Sequence, residues 1–431
     1  MAGFRRVPAA VVAAAAVAVA VALQLLRQPG ARSWNTVWAE DGYIYTSQAY
    51  GHGPVSTMFR GYAGYAQFVP RVIALGVRPL PVSWVAPYLA FTAAFVTALL
   101  GLFVYWAMAG WVRSPWLRSI LAAMSVLAPV SFFEINANIA NLGWPLLFAA
   151  FWAFVARRDR PFDIALRAAV VLLCGLTTPV LAVLVPVGIA VAVARRRAGE
   201  WVIVAAALVS LLVQWIVVHG TGAGAGAPST LGDLPREYGV RVVGALVFGE
   251  RWLGYLWAHL GVTVIAIGVA VVAVVAVVAL LPAPVRLTAD RWWFAIAAGL
   301  ASVALFAVPV WIRGTEPMRL LSGEFTDTGS RYVYVPLLVL LSGLFVLVDG
   351  SGRRWLEAGA TAHAAVLIVV CFGLAGFRSA GPTWSSQLEA ARATCRSASA
   401  PAIVNVPTTP DGLDWYVAVP CGRVGSATAA R

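Results

Sequence analysis

The stretch VTVIAIGVAVVAVVAVVALL, residues 262–281, decides the fold class of this chain. It holds twenty consecutive residues without a charge, which suits an α-helix that crosses a hydrocarbon core of about 30 Å. Apolar runs of similar length recur at residues 7–26 and 332–348. These runs lack the alternating pattern of a transmembrane barrel strand. The sequence therefore predicts an all-α integral membrane protein.

The composition supports a membrane protein and argues against a nucleic-acid partner. Of the 431 residues, 61% are hydrophobic and 11% are charged, with a net charge of +13. All 31 basic residues are Arg, and they are scattered between apolar runs instead of gathered on one soluble surface. That distribution fits the positive-inside rule better than a phosphate-binding patch. The lack of Lys is typical of a high-GC bacterium, so we expect a bacterial cell-membrane protein.

Eleven segments are apolar enough to be predicted spans, and their connections alternate in charge. Arg pairs and triplets occupy every second connection, which predicts that these connections are cytoplasmic. The N-terminus is then inside and the C-terminus outside, so the long first loop (residues 27–82) is external. We predict a multispan domain, residues 1–376, and an external tail, residues 377–431. The predicted spans lie near residues 7–26, 83–109, 119–133, 140–156, 163–177, 178–194, 200–219, 262–281, 292–312, 332–349 and 358–376.

The external face is the expected place of any chemistry. The basic connections are too short for a nucleotide-binding domain, and the chain has no GxxxxGK[ST] motif. Within the first loop, FVPRVIALGVRPL (residues 68–80) is apolar but too short to span. It predicts an amphipathic helix in the membrane interface, with a re-entrant or buried loop helix as the alternative.

An acidic pair in the first loop is the leading candidate for catalysis. Glu40 and Asp41 lie in WNTVWAEDGYIY, residues 34–45, directly after the first predicted span. Burial beside aromatic side chains and mutual repulsion raise the pKa of such carboxyls, which suits a general base. The pair is alternatively suited to a divalent cation such as Mg²⁺ or Mn²⁺, or it is a solvated acidic turn.

Further candidates lie in two other predicted external connections. FFEINANIANLGWP, residues 132–145, offers Glu134, Asn138 and Trp144 for sugar hydroxyls and stacking, although Asn and Glu also cap helices. Arg331 and Tyr332 begin the tenth predicted span, where an Arg is suited to gripping a lipid phosphate or to snorkelling. Further candidates for binding the phosphate are Arg71, Arg313 and Arg319.

The four cysteines divide by location. Cys174 and Cys371 fall in apolar runs, where a lone thiol is most often a small core residue. Cys395 and Cys421 lie in the predicted external tail, where an oxidising compartment favours a disulfide. Such a bridge would close the 396–420 loop and stabilise the tail by about 3 kcal/mol.

These features together resemble the GT-C class of polytopic glycosyltransferases. The resemblance rests on the acidic pair of the first loop, the basic-inside multispan architecture and the external Arg331–Tyr332. It implies a GT-C-like fold, a polyprenyl-phosphate sugar as donor, and inverting transfer to an envelope glycan, lipid or protein. Asp41 or Glu40 would be the base, and an actinobacterial-type envelope the setting. The tail is too small for the large carbohydrate-binding domain that many members carry.

Two other functions remain open on the sequence. A lipid-linked-sugar flippase or another multispan transporter is the main alternative. The predicted span centres hold few charges, whereas polar residues collect at the external edge, and that pattern favours surface catalysis. A scaffold that recruits envelope enzymes is the third possibility.

Overall fold

Long helices dominate the computed structural model, which describes residues 8–218, 230–281, 288–313, 329–397 and 399–424. Helices coincide with all eleven predicted spans, although their bounds shift by a few residues. The first six are Ala9–Leu26, Val85–Ala107, Pro115–Leu127, Gly143–Val155, Pro161–Thr177 and Val185–Arg195, the last preceded by the 3₁₀ turn Pro179–Leu184. The other five are Ala198–Val218, Thr263–Leu280, Ala289–Arg313, Arg331–Ser351 and Arg354–Val370.

Six helical segments within the described residues are long and apolar enough to cross a membrane. The other predicted spans form helical segments of 17 residues or fewer, so the number of eleven crossings remains a prediction. A multi-pass helical membrane protein is nevertheless what the structure shows. The six segments are Ala9–Leu26, Val82–Gly110, Ala198–Val218, Thr263–Leu280, Ala289–Arg313 and Arg331–Ser351.

Two helices form the centre of the bundle. Every residue of Gly143–Val155 is buried, as is most of Arg331–Ser351. The latter packs closely on Ala289–Arg313 because Gly343 has no side chain: a Cβ there would lie 3.1 Å from Ala298 Cβ. Such close packing is how helices associate inside a membrane.

The Arg-rich connections meet at one end of the bundle, which we call the basic end. Asp349 accepts hydrogen bonds from the backbone N–H groups of Arg113 and Ser114, both at 2.8 Å, and pairs with Arg291 at 3.0 Å. Arg157 pairs with Asp290 at 2.7 Å. The structure therefore brings together at one end the Arg-rich connections that the sequence predicts to be cytoplasmic. Arg5, Arg6, Arg286 and Arg319 lie outside the described residues.

The first loop and the tail form one body at the opposite end, the cavity end. Val37, Ile44 and Tyr45 share a hydrophobic core with tail residues that include Trp384 and Val417. The predicted boundary at residue 376 therefore separates two stretches of chain that pack together. The tail contains helices Phe377–Ala380, Trp384–Arg396 and Cys421–Val424 and the antiparallel strands Ile403–Pro407 and Tyr416–Pro420.

A disulfide and several hydrogen bonds fix the strand pair, called the hairpin below, to the body around it. A disulfide joins Cys395 to Cys421. The Thr409 N–H donates to Val37 O at 3.0 Å, and the Ala39 N–H donates to Thr409 O at 2.7 Å. The hairpin is thus held against the segment that leads into Glu40.

The first loop contains several short helical segments. It contains Ser33–Asn35, the π-helix Asp41–Thr46, Ser47–Gly51, Pro54–Met58, Phe68–Leu75 and Val82–Trp84. The helix predicted over residues 68–80 ends at Leu75, and half of its eight residues are buried. Gly76 follows and lies against Tyr88, which leaves no room for a Cβ at this position.

A buried helical segment before the eighth predicted span escaped the sequence-based assignment. Residues 234–248 form three consecutive short helices, Leu234–Tyr238, Gly239–Gly244 and Ala245–Phe248, inside the main core. The helix Glu250–Leu260 follows with Trp252 and Tyr255 more than half exposed.

Candidate active site

A cavity of about 380 Å³ opens at the cavity end, between the first loop and the helix ends. Its size suits a sugar with its phosphate better than a large substrate. The lining combines one carboxylate, two guanidiniums, two amides and five aromatic rings. These residues are Glu40, Tyr45, Tyr62, Ala63, Tyr65, Gln67, Ala140, Asn141, Gly143, Trp144, Thr178, Arg313, Arg331 and Tyr332.

Of the acidic pair, Glu40 is the member that lines the cavity. It precedes the π-helix Asp41–Thr46 and is partly exposed. Among the described residues, no side chain or backbone N–H group donates a hydrogen bond to its carboxylate within 3.5 Å. Its oxygens are thus available to a ligand, as a general base requires.

Asp41 points away from the cavity and joins two connections. Its side chain is 1% exposed, and its two oxygens accept hydrogen bonds from Ile139 N at 3.0 Å and Ala140 N at 2.8 Å. Burial raises the pKa of Asp41 to about 7, against the opposing effects of Arg378 and the two N–H groups. Glu40 and Asp41 therefore have different structural roles, although they are adjacent in sequence.

Two arginines bring positive charge to the cavity from the helix ends. Arg313 ends Ala289–Arg313, donates to Ala63 O and lies 4.6 Å from the centre of the Tyr65 ring. Arg331 begins Arg331–Ser351, with its guanidinium 5.3 Å from the centre of the Tyr332 ring. Two guanidiniums in one cavity are suited to a phosphate group.

Glu134 lies behind Arg331, outside the cavity lining. It is 5% exposed, and its Oε2 accepts hydrogen bonds from Ser330 Oγ and Arg331 N, both at 2.8 Å. Its Oε1 lies 3.6 Å from Arg331 Nη1. A carboxylate at the N-terminus of a helix is electrostatically favourable. Glu134 is therefore placed to position Arg331 and does not line the cavity.

Asn138 and Arg71, two predicted binding residues, are also buried behind the lining. Asn138 Oδ1 accepts from the backbone N–H of Asn141 at 3.1 Å, which orders the connection so that Asn141 reaches the cavity. The Arg71 guanidinium donates to Ala66 O at 3.0 Å and Gln48 Oε1 at 2.6 Å. Arg71 therefore braces the first loop, a role that an amphipathic pattern does not signal.

The predicted Trp144 and Tyr332 do line the cavity, where their rings meet edge to face at 5.3 Å. Tyr62 and Tyr65 were missed by the sequence analysis. They flank a two-residue turn in GYAGY, residues 61–65, whose Ala63 and Gly64 both have positive φ. The sequence signal that could have predicted this turn is the Gly between the two tyrosines.

The hydroxyls of Tyr45, Tyr62 and Tyr65 stay protonated at neutral pH. Burial, together with the smaller effect of the Glu40 charge, raises the pKa of Tyr62 to about 12. Burial likewise raises the pKa of Tyr45 and Tyr65. These phenols are therefore available as hydrogen-bond donors to a sugar or phosphate oxygen.

Arg378, also missed from the sequence, ties the tail to the cavity walls. It is 5% exposed and donates to Thr36 Oγ1 at 2.8 Å and to Asn136 O and Ala137 O at 3.0 Å. It thereby links the segments that carry Glu40 and the Ile139–Ala140 amides. Burial lowers the pKa of Arg378 to about 10, so it remains cationic.

The acidic pair does not fit a shared divalent cation. Both Asp41 oxygens are occupied by backbone N–H groups, while Glu40 faces the cavity alone, and the two arginines in the cavity disfavour a cation. Within the described ranges, no group of three or more His, Cys, Asp or Glu residues is arranged to hold a metal.

Comparisons with known proteins leave the family open. No family model matches the chain, and no curated protein matches it. Among solved structures, it is similar to the crystal structure of the Archaeoglobus fulgidus oligosaccharyltransferase in complex with Zn and sulfate. The identity is 14% and the TM-score 0.43, and the match covers 89% of this chain but 55% of that one. The chain thus spans about half the length of the protein it matches.

Proposed function

We propose that this protein is a membrane glycosyltransferase of the GT-C class. It would transfer a sugar from a polyprenyl-phosphate donor to an envelope glycan, lipid or protein on the external face. The observation that carries the proposal is that Glu40 shares one cavity with Arg313 and Arg331. A base and a double cationic clamp are what sugar transfer from a phosphate leaving group needs.

The lining residues divide into three roles in this proposal. Arg313 and Arg331 bind the donor phosphate, since each contributes a planar set of N–H donors. Trp144 and Tyr332 border the transferred sugar, and Asn141 is placed to bind its hydroxyls. The aromatic faces and amide groups suit a ligand with both C–H and O–H surfaces.

Glu40 is the base in the proposed displacement. The acceptor O–H bond breaks, and its proton passes to the Glu40 carboxylate. The acceptor oxygen bonds to the anomeric carbon while the bond from that carbon to the phosphate oxygen breaks, so polyprenyl phosphate leaves with the electron pair. Attack opposite the leaving group inverts the anomeric centre. The arginines stabilise the negative charge on the leaving phosphate.

A Glu40→Gln substitution tests the proposal. The amide keeps the size of the side chain but cannot take the proton, so we expect transfer to fall by 10²–10⁴-fold. The assay uses purified protein in liposomes with labelled polyprenyl-phosphate mannose, glucose and arabinose as donors and bacterial envelope glycans and lipids as acceptors, and it measures release of polyprenyl phosphate. Glu389→Gln, in an exposed part of the tail, is the matched control and should keep full activity.

The same liposomes separate the alternative functions. Movement of the donor across the bilayer without turnover would identify a lipid-linked-sugar flippase. If the liposomes show neither turnover nor movement of the donor, the remaining alternative is a scaffold. Full transfer activity in the Glu40→Gln variant would refute Glu40 as the base.

A further inference from the structure

An aromatic corner lies next to Glu40, outside the lining of the cavity. Tyr43, Trp415 and Tyr416 form it: the Tyr43 ring meets the Trp415 ring at 5.4 Å and 82°, and the Tyr416 ring at 5.0 Å and 86°. Tyr43 is 39% exposed, and the other two residues are half-buried. All three side chains are therefore at least partly accessible to a ligand.

The corner borders the candidate base because the helix places it there. Tyr43 follows Glu40 by three residues, within the first turn of the π-helix Asp41–Thr46. Tyr43 and Glu40 both act electrostatically on the hydroxyl of Tyr62, a lining residue. A molecule seated on the corner therefore reaches toward Glu40 from outside the cavity.

The tail is built so that the corner keeps its shape. Tyr416 starts the strand Tyr416–Pro420, whose alternate residues Val417 and Val419 are buried beneath it. Gly42 lets the hairpin approach closely, since a Cβ there would lie 2.8 Å from Thr408 and 2.9 Å from Val417. Rigid support is what a preorganised binding surface requires.

We propose that Tyr43, Trp415 and Tyr416 form a binding subsite for the acceptor, and that the acceptor is a neutral carbohydrate. A cavity of about 380 Å³ has room for a donor sugar and phosphate, so the acceptor must approach from its edge. The C–H face of a pyranose packs on the negative face of an aromatic ring, and the tyrosine hydroxyls bind sugar hydroxyls. This assignment rests on the proposed function, because a bound carbohydrate is an acceptor only if the protein transfers a sugar to it.

Binding of a defined panel tests the subsite without any turnover. The panel contains neutral di- to hexasaccharides of mannose, glucose, galactose and arabinose, and saturation-transfer NMR detects their binding to the full chain in detergent. At least one should bind wild type. Trp415→Leu should weaken its binding about tenfold, and Trp415→Phe should restore most of it. Trp116→Leu, at a 73% exposed Trp of the basic end, should bind as wild type does.

A second readout distinguishes failure of the subsite from failure of the proposed function. With donor and acceptor both present, Trp415→Leu should raise the acceptor KM about tenfold. The donor KM should change less than twofold, because Trp415 lies outside the cavity lining. Donor turnover with unaltered acceptor KM in that variant overturns the subsite alone. Binding of the panel without donor turnover overturns the proposed function alone. A panel that does not bind wild type overturns the subsite.

Discussion

Glu40 and Asp41 show how strongly the backbone separates two neighbouring carboxyls. The Glu40 side chain faces a cavity that contains two arginines, whereas Asp41 accepts two N–H groups in a buried junction. The sequence supports an acidic site here but does not choose between the two residues. Their difference comes from the contact with residues 139 and 140, about 100 positions away, which local sequence does not encode.

The raised pKa of Asp41 predicts a dependence of stability on pH. Its pKa lies at about 7 in the folded protein and near 3.8 when unfolded. Between these values the folded state holds a proton that the unfolded state releases, so the free energy of unfolding falls as pH rises. The slope from this group is about 1.4 kcal/mol per pH unit.

An Asp41→Asn substitution isolates this contribution. Asn cannot titrate, and its NH₂ group would face a backbone N–H, so the variant should have the lower melting temperature at pH 5. The gap to wild type should narrow as pH rises to about 7 and stay constant above that value. Thermal unfolding in detergent between pH 4.5 and 8 measures this difference in melting temperature. Asp411→Asn, at an exposed position, is the control. A gap that widens with pH would contradict the assignment.

At the scale of elements, the apolar runs predicted the helices well and the site less well. Helices coincide with all eleven predicted segments because long uncharged runs have few alternatives in a bilayer. Trp144, Arg331, Tyr332 and Glu40 reach the cavity, whereas Asn138 and Arg71 lie behind it. Periodicity shows which residues are near a helix end, but packing between loops decides which side chains face the cavity.

The helix Arg331–Ser351 depends on Glu134 for the orientation of its first residue. Glu134→Gln removes the charge that faces Arg331 Nη1 at 3.6 Å and that caps the helix. We expect the donor KM to rise about three- to tenfold with a smaller change in kcat, because the loss affects phosphate binding. Liposome kinetics with varied donor measure both constants. If the donor KM is unchanged, the orientation of Arg331 does not depend on Glu134.

Docking of the hairpin depends on Gly42 within the π-helix. Gly42→Ala would force a methyl group against Thr408 and Val417, and overpacking of this kind costs about 1–3 kcal/mol. The variant should unfold at lower temperature and lose tail protection in limited proteolysis. Gly51→Ala is the matched control in the same loop, because nothing lies within 4 Å of its added Cβ. Equal melting of the two variants would show that the hairpin tolerates the methyl.

At the scale of the whole molecule, the two ends of the bundle differ in chemistry. The cavity, the first loop and the disulfide-linked tail share one end, while the Arg-rich connections meet at the other. The positive-inside rule then predicts that the basic end is cytoplasmic and the cavity external. For the proposed glycosyltransferase, this orientation would require a donor that is itself available outside the cell. A polyprenyl-phosphate sugar meets that requirement, and a cytosolic nucleotide sugar does not.

Labelling of introduced cysteines tests that orientation directly. The four native cysteines leave no exposed thiol, because two form the disulfide and Cys174 and Cys371 are buried. Asp411→Cys in the tail and Arg160→Cys at the basic end each add a single exposed reporter. A membrane-impermeant maleimide should label the first in intact cells and the second only after permeabilisation. The reverse pattern would put the cavity in the cytoplasm, where an exported polyprenyl-linked donor would not reach it.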